Sequence, residues 1–275
     1  MGLGSGTGTV VLVAAKLRVT AVDAGPFTMS KGDLMYGASG TVTIPSTVAV
    51  IEHADHGLIL FDTGINHLVA DPETAETHWG PGLREAYGAQ GFTREHAVDA
   101  QLGRLGHRTS DIAYVIYSHL HLDHAGGMGY FPDAVHVVQH DELRHAWWPD
   151  RWTARGYAYN DIRDTRGFDF LELDGDTDLF LDGSVRVFRT TGHTPGHQGI
   201  VLDLDNQGRI AFLGDAAHLQ EALEGNVPMT SDWNIEQKLL TYGRIRALAR
   251  AGVRIFLSHD PDHFAALPHD GAVWD

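Results

Sequence analysis

The sequence contains no cysteine, and basic residues and long apolar runs are scarce. Without cysteine, the chain can form neither disulfide bonds nor thiolate metal sites. Only 20 Lys and Arg residues stand against 36 Asp and Glu residues, which gives a formal net charge of −16. A chain of this charge repels phosphate backbones, so we expect no nucleic-acid partner. No segment reaches the roughly 20 apolar residues of a transmembrane helix, so we expect no membrane partner.

Histidine, in contrast, is abundant, with 18 residues in a chain of 275. In a chain without thiols these imidazoles are the main supply of nitrogen ligands, which favours metal chemistry. The N-terminal apolar run 10–15 is short and no basic residue precedes it, unlike in a secretory signal. We therefore predict a flexible leader over residues 1–16, one domain over 17–275, and a cytoplasmic location.

Short apolar runs rich in β-branched residues predict strands. They cover 17–24, 47–52, 57–62, 112–117, 135–139, 185–190, 199–204, 210–213 and 253–257. A period near 3.6 residues predicts helices over 94–105, 141–148 and 235–251. Strands with interspersed helices favour an α/β sandwich. Two glycine-containing stretches, 27–45 and 78–92, are predicted to be long loops, which often carry function.

Ligand-type residues are concentrated directly after the predicted strand 112–117. They lie in the run Ser118-His119-Leu120-His121-Leu122-Asp123-His124. Alternate residues of an extended segment project to one side, so His119 and His121 can bind one ion together. The chain then has to turn, which lets the adjacent Asp123 and His124 reach a second ion. Metal binding is the function that this spacing predicts.

Three more ligand-type residues follow other predicted strands, namely His193, Asp215 and His259. Side chains at the ends of several strands converge on one edge of a sandwich, where loops shape a pocket. We assign His119, His121 and His193 to a first ion. Asp123, His124 and His259 are assigned to a second ion, and Asp215 bridges both. These ligands suit Zn²⁺, with Mn²⁺, Co²⁺ or Fe²⁺ as alternatives. A water shared by two such ions would be a hydroxide nucleophile near neutral pH.

The combined motifs resemble those of the metallo-β-lactamase superfamily. The matching segments are His-x-His-x-Asp-His at 119–124, Thr-Gly-His-Thr-Pro-Gly-His at 191–197, Gly-Asp at 214–215, Ser-His-Asp at 258–260 and Phe-Asp-Thr-Gly at 61–64. The resemblance implies a four-layer αβ/βα sandwich with a dinuclear metal site at one edge of the sheets. It also implies a metal-dependent hydrolase that acts on ester bonds.

Several branches of that superfamily differ from this sequence. The β-lactamases with a cysteine ligand are excluded, and flavodiiron proteins carry Glu where His121 stands. RNase Z is disfavoured by the acidic charge. Glyoxalase II has its histidine motif nearer the N-terminus and a C-terminal basic cluster, which residues 265–275 lack. The chain is most similar to the N-acyl-homoserine lactonases, on the segments 118–127 and 193–198.

This resemblance implies that a metal-bridging hydroxide opens the ring of an N-acyl-homoserine lactone or a related lactone. Asp123 would then shuttle the proton. His218 stands where those lactonases usually carry a tyrosine that polarises the carbonyl, and its imidazole could donate a hydrogen bond to the oxyanion. A hydrolase of another ester, thioester, phosphoester or carbamate on the same metal site is the alternative.

The sequence also predicts residues that support the metal ligands and residues that contact the substrate. Asp62 is predicted to orient ligand histidines or the turn, and His197 is predicted to lie behind the ligands. The other histidines follow no ligand spacing and are predicted to be structural. Residues predicted to border the lactone or ester substrate are Met35, Tyr36, Met128, Trp147, Trp148, Trp152 and Tyr159. The stretch 27–45 could pack on a second subunit, which would make the protein a homodimer.

Overall fold

The computed structural model describes residues 16–275. The predicted leader lies outside the described residues except for Lys16, whose Nζ is 2.7 Å from Asp182 Oδ2. The strands are β1 (Leu17–Asp23), β2 (Phe27–Ser30), β3 (Thr41–Ile44), β4 (Thr47–His53), β5 (Gly57–Phe61), β6 (Ile112–Ile116), β7 (Val135–Gln139), β8 (Asp169–Leu173), β9 (Thr177–Asp178), β10 (Val185–Arg189), β11 (Gln198–Leu204), β12 (Gly208–Phe212) and β13 (Arg254–Phe256). The α-helices are α1 (Lys31–Leu34), α2 (Pro72–His78), α3 (Leu83–Ala86), α4 (Val98–Arg104), α5 (His140–Trp147), α6 (Tyr159–Ile162), α7 (Gln220–Gly225), α8 (Ile235–Arg250) and α9 (Pro261–Ala266).

Two mixed sheets are stacked face to face. The first has the strand order β1-β4-β5-β6-β7-β8, and the second has the order β13-β12-β11-β10-β9. Strands β5 to β8 are parallel, and the apolar runs of β5, β6 and β7 are buried because both faces of the sheet are covered there. Between the sheets lies an apolar core, which includes Ile51, Ile59, Phe61, Ile200, Leu202 and Phe212.

Helices cover the two outer faces. Helices α4 and α5 contribute Leu102 and Leu143 to a core with Leu60 and Val115 of the first sheet. Helix α8 contributes Tyr242 and Ile245 to a core on the second sheet. The order of layers is therefore helix, sheet, sheet, helix, which confirms the expected αβ/βα sandwich. Within residues 16–275, no helix combines the length and the apolar character needed to cross a bilayer.

The predicted loop over 27–45 is wrong, because it contains a hairpin. Strands β2 and β3 pair antiparallel, with Phe27 opposite Ile44, and α1 lies between them. The two strands are not evident from the sequence because half of their residues are threonine or serine. These polar residues lie on the more exposed side of the hairpin. Phe27, Leu34 and Ile44 pack on Trp79 and Phe92 of the same chain. The apolar side of this segment is thus covered without a second subunit, and the homodimer stays a prediction.

Two other expectations need a similar correction. The predicted helix over 94–105 is interrupted at Ala97, which has an extended backbone conformation, so only α4 is α-helical. Nδ1 of His96 accepts the Thr93 backbone N–H at 3.0 Å, which closes a short 3₁₀ turn before the helix begins. The stretch 78–92 contains α3 and is not an unbroken loop.

The sheets bring the ligand-type residues together. Strands β6, β10, β12 and β13 end at Ile116, Arg189, Phe212 and Phe256, each three or four residues before a predicted metal ligand. The loops that follow these strands meet at one edge of the sandwich. The fold therefore gathers residues that are up to 140 positions apart, from His119 to His259.

Candidate metal centre

The loop that follows β6 carries four of the seven predicted ligands. Backbone N–H groups of His124 and Ala125 both donate to the His121 carbonyl, at 3.0 and 2.9 Å, which forms the predicted turn. Gly126 lets this turn approach the loop after β5, because a Cβ there would lie 2.4 Å from Asn66 N.

His119, His121 and His193 form the first group of converging donors. His193 Nε2 lies 3.0 Å from His121 Nδ1. Nε2 of His119 is buried and has no hydrogen-bond partner among residues 16–275. Buried polar atoms are nearly always hydrogen-bonded, so an unpartnered imidazole nitrogen facing two others fits a metal ligand.

Asp123, His124 and His259 form the second group. His259 Nε2 lies 3.3 Å from Asp123 Oδ2 and 3.3 Å from His124 Nε2. His124 Nε2 is 3.5 Å from the same carboxylate oxygen. Two imidazole nitrogens and one carboxylate oxygen therefore face a common point, as in three-ligand zinc sites.

Asp215 lies between the two groups. Its Oδ1 is 3.1 Å from His259 Nε2 and 3.2 Å from His124 Nε2. Its Oδ2 is 3.3 Å from His193 Nε2 and 3.9 Å from His119 Nε2. Each oxygen thus faces a different group, which is the arrangement that a bridging carboxylate requires. Oδ1 makes no hydrogen bond within the described residues despite these close nitrogens.

The second ring nitrogen of several ligand-type histidines is held by a protein atom. Nδ1 of His124 lies 2.8 Å from Asp62 Oδ2, and Nδ1 of His259 lies 2.7 Å from the Pro45 carbonyl. The contact predicted for Asp62 is therefore confirmed. Such partners fix the ring orientation and the tautomer, so that the other nitrogen points at the metal.

His193 has its own support from α8 and the segment before it. Its Nδ1 lies 2.9 Å from Asp232 Oδ1, and Asp232 is paired with Lys238 at 2.9 Å. The Lys238 Nζ also donates to the main-chain oxygen of Asp215 at 2.6 Å. All of these side chains are buried.

Glu142 of α5 joins the two loops that carry the first group. Its Oε1 accepts hydrogen bonds from Leu120 N and from the Tyr157 hydroxyl, both at 3.0 Å. Its Oε2 accepts the Gly196 N–H at 3.1 Å. One buried carboxylate therefore holds the loop after β6 against the loop after β10.

Burial and neighbouring charges leave His119, His121 and Asp215 in the forms that metals bind. Burial lowers the pKa of His119 and of His121 well below the ordinary value, so both rings are neutral and have a lone pair. Burial would raise the pKa of Asp215, but His259 and His124 outweigh it and hold this pKa well below its usual range. Neutral imidazoles and ionised carboxylates are the required ligand forms.

His197 and His218 lie beside the ligands. The Asp215 backbone N–H donates to His197 Nε2 at 3.0 Å, and His197 Nδ1 lies 2.7 Å from the Thr190 hydroxyl, so both ring nitrogens are taken behind the ligands, as expected. His218 lines the cavity over the metal centre, with Nε2 at 3.1 Å from Asp215 Oδ2. Burial lowers the pKa of His218 to about 4, so its ring is neutral.

A cavity of about 340 Å³ opens over these residues. Besides the predicted ligands, its wall contains Phe27, Met29, Leu34, Ile44, Tyr87, Trp152, Thr153, Arg155, Met229 and Ser231. The hairpin of β2 and β3 supplies the apolar side of this wall. The sequence does not mark these hairpin residues as part of the site, because the short, half-polar strands that carry them resemble a loop. Arg155 was missed as well, because a lone arginine in a loop carries no motif.

Of the seven residues predicted to border the substrate, only Trp152 lines this cavity. Met128 is fully buried in the core under the first sheet, and Trp147 packs on the rim of that core under Arg166. Tyr36, Trp148 and Tyr159 are exposed outside the cavity, and Met35 packs in the core beneath the hairpin. These six side chains therefore do not line this cavity, because a position in or near a loop does not determine which way a side chain points.

One further group of ligand-type residues lies away from this centre, at His53, His56 and Asp182. Nδ1 of His53 accepts the Asp55 N–H at 3.1 Å, so its Nε2 carries the proton that faces Ser184 Oγ at 3.0 Å. No lone pair of this ring is left for a metal. The structural role predicted for these histidines agrees with their contacts.

A comparison with family models matches residues 42–248 to the metallo-β-lactamase superfamily. N-acyl homoserine lactonase AttM of Azorhizobium caulinodans is 33% identical over 87% of this chain and 90% of its own. N-acyl homoserine lactonase AiiA of Bacillus thuringiensis subsp. kurstaki is 29% identical over 75% of this chain and 78% of its own.

Solved structures show the same fold. An N-acyl homoserine lactone hydrolase, with the product N-hexanoyl-L-homoserine at its catalytic metal centre, superposes with a TM-score of 0.79. It is 24% identical to this chain, and the match covers 93% of this chain and 98% of the other. At this identity the likeness concerns the arrangement of strands and helices.

Proposed function

Because the chain belongs to the metallo-β-lactamase superfamily, we propose that it is a dinuclear metal-dependent hydrolase that opens the ring of an N-acyl-homoserine lactone or a related lactone. The position of Asp215 supports this proposal most directly. Its two oxygens face two separate groups of donors, at 3.1 to 3.9 Å from four imidazole nitrogens. A structural metal would need only one group, with its coordination closed by protein ligands.

The donors present fit two divalent ions, and we expect Zn²⁺. His119, His121 and His193 would hold the first ion, and Asp123, His124 and His259 the second, with Asp215 shared. The fit rests on the unpartnered Nε2 of His119 and Oδ1 of Asp215 and on the absence of sulfur ligands. When bound, two such ions supply Lewis acidity and a water of lowered pKa.

The chain's own residues then have distinct roles in ring opening. His218 donates its N–H to the lactone carbonyl oxygen, where negative charge develops. Water adds to the carbonyl carbon, and the bond from that carbon to the ring oxygen breaks. Asp123, at the cavity wall, takes the proton released by the water and returns it to the ring oxygen. The product is the open-chain hydroxy acid.

The cavity supports a substrate with an apolar arm. Phe27, Met29, Leu34 and Ile44 form an apolar part of the wall that also contains the polar metal ligands. An acyl chain on that side would place the lactone over Asp215. The names of the relatives point to the same class of substrate, since both are called N-acyl homoserine lactonases.

A substrate panel tests the proposal. Purified protein loaded with Zn²⁺ is offered N-acyl-homoserine lactones of short and long chain, γ-lactones, aryl esters and a phosphotriester. We expect proton release and open-chain product with lactones, at a kcat/KM well above that for the other substrates. Rapid ester or phosphotriester turnover without lactone opening would contradict the proposal. The same panel with the Asp215→Ala variant shows whether the turnover belongs to this centre.

A further inference from the structure

Of the three lysines within residues 16–275, Lys238 is the one that is fully buried. Its Nζ donates to the main-chain oxygen of Asp215 at 2.6 Å and to Asp232 Oδ1 at 2.9 Å. Removing an ammonium group from water is costly unless it is paired and hydrogen-bonded. The lactone-opening roles described above do not use this lysine, so its burial needs another explanation.

Both partners of Lys238 lead to ligands of the first ion. Asp232 lies 2.9 Å from His193 Nδ1, and the other contact is to the backbone of Asp215 itself. The histidines of the second group have different supports, namely Asp62 for His124 and the Pro45 carbonyl for His259. Through Asp232, Lys238 therefore supports a ligand assigned to the first ion alone, and through the backbone of Asp215 it supports a ligand that both ions share.

The backbone of the loop that carries His193 lies in direct contact with the backbone at the start of α8. Gly192 has φ +143°, and a Cβ there would lie 2.5 Å from Lys238 Cα. The Trp233 N–H donates to the His193 carbonyl at 3.0 Å, and the Asn234 N–H donates to the Gly192 carbonyl at 2.9 Å. The start of α8 is thus docked directly on the loop that carries His193.

We propose that Lys238 and Asp232 are positioning residues that fix His193 and Asp215 and thereby set the affinity of the first metal ion. The proposal rests on the dinuclear centre of the proposed function. Its test measures metal affinity, so a protein that binds two ions and opens no lactone would contradict the proposed function and leave this inference standing.

The positive charge of Lys238 allows an effect of charge on metal affinity to be distinguished from an effect of positioning. An ammonium group close to a metal site repels a divalent cation, so deleting it should strengthen metal binding if charge alone matters. Loss of positioning acts in the opposite direction, and removal of such outer partners typically weakens metal affinity about 10- to 100-fold. The direction of the change therefore separates the two effects.

The experiment compares Lys238→Met with the matched variant Lys16→Met, whose lysine forms a partly exposed ion pair with Asp182. Zn²⁺ affinity is measured by competition with a chromophoric chelator, and His121→Ala and His259→Ala identify the first and second ion. For Lys238→Met we expect the first ion to bind roughly 10- to 100-fold more weakly, with a smaller weakening of the second ion, which shares Asp215 but not His193. Lys16→Met should match the wild type. Unchanged or tighter binding of the first ion, or equal weakening of both ions, would overturn the proposal.

If Lys238→Met does not fold, a second pair of variants tests the positioning role. Asp232→Asn and Asp232→Ala both remove the negative charge, but only the asparagine keeps an oxygen that can accept from His193 and Lys238. We expect the alanine variant to bind the first ion at least tenfold more weakly than the asparagine variant. Equal affinities in the two variants would overturn a positioning role. Circular dichroism establishes that the compared proteins are folded.

Discussion

Asp62 Oδ2 lies 2.8 Å from His124 Nδ1, and the same carboxylate accepts the Ser118 backbone N–H at 2.6 Å through Oδ1. Asp62 follows β5 with φ 65°, a left-handed conformation that aspartate and asparagine tolerate better than most residues. This conformation brings the carboxylate beside the loop after β6. One buried side chain thus links the ends of two parallel strands and orients His124, a proposed metal ligand.

Asp62→Ala should weaken binding of the second metal ion about 10- to 100-fold, because His124 loses the partner that orients it. The free energy of unfolding should fall by about 1–3 kcal/mol, since the Ser118 N–H stays buried without an acceptor. Chelator competition and urea denaturation measure the two effects. Asp62→Asn keeps the backbone conformation and an acceptor oxygen, and it should lose less of both. Equal losses in the two variants would contradict the orienting role.

Asp215→Ala should lose most of the bound metal and nearly all activity, because no other carboxylate in residues 16–275 faces both groups of histidines. Elemental analysis after gel filtration gives the number of ions per chain. Asp164→Ala is the control, since Asp164 is an exposed residue far from the ligands in the chain and pairs only with Arg163. A variant that keeps two ions and full activity would show that Asp215 does not bridge.

The convergence of the seven proposed ligands could be predicted from sequence because each of them lies on a loop that directly follows an apolar strand. His119 follows β6 by three residues, Asp215 follows β12 by three and His259 follows β13 by three. Strand ends converge at sheet edges, so proximity along the chain to such an end translates into proximity in space. The apolar runs of β6 and β12 are also a clear pattern in the sequence, because they are largely buried.

The supporting residues and the cavity wall could not be predicted in this way. Asp232 is 39 positions from His193 and lies in a loop, so no local spacing links the two. The cavity wall depends on the hairpin of β2 and β3, whose strands are only four residues long and half polar. Its apolar side emerges only once the hairpin is docked on the sandwich.

Removal of the metal ions should lower the thermal stability of the protein. The imidazoles and carboxylates of the centre are buried together, and the ions bind only the folded arrangement of these donors. At a free metal concentration of 100 times Kd, one ion adds about 2.7 kcal/mol to the free energy of unfolding. A thermal melt after chelation, followed by a melt after Zn²⁺ is restored, measures this difference. Identical melting temperatures for the two samples would show that these residues bind no metal.

His218→Phe should reduce kcat for lactones about 100-fold with a small change in KM, because the lost N–H stabilises charge that develops only in the transition state. Phenylalanine keeps a ring of similar shape in the cavity wall, so packing is preserved. His218→Tyr restores a donor at the position where related lactonases usually carry tyrosine, and it should recover part of the rate. Steady-state kinetics at saturating Zn²⁺ provides both constants. An unchanged kcat in the phenylalanine variant would exclude His218 from carbonyl polarisation.

Trp152→Ala should lower kcat/KM for long-chain acyl lactones roughly fivefold more than for short-chain ones, which corresponds to about 1 kcal/mol of lost apolar contact. The effect is modest because Trp152 lines the cavity but is still 58% exposed. Trp148→Ala is the matched control, since Trp148 is four residues away in sequence, 88% exposed and outside the cavity. We expect no dependence on chain length in that variant. If both variants show the same dependence, the acyl chain runs over the outer surface near these tryptophans instead of along the hairpin of β2 and β3.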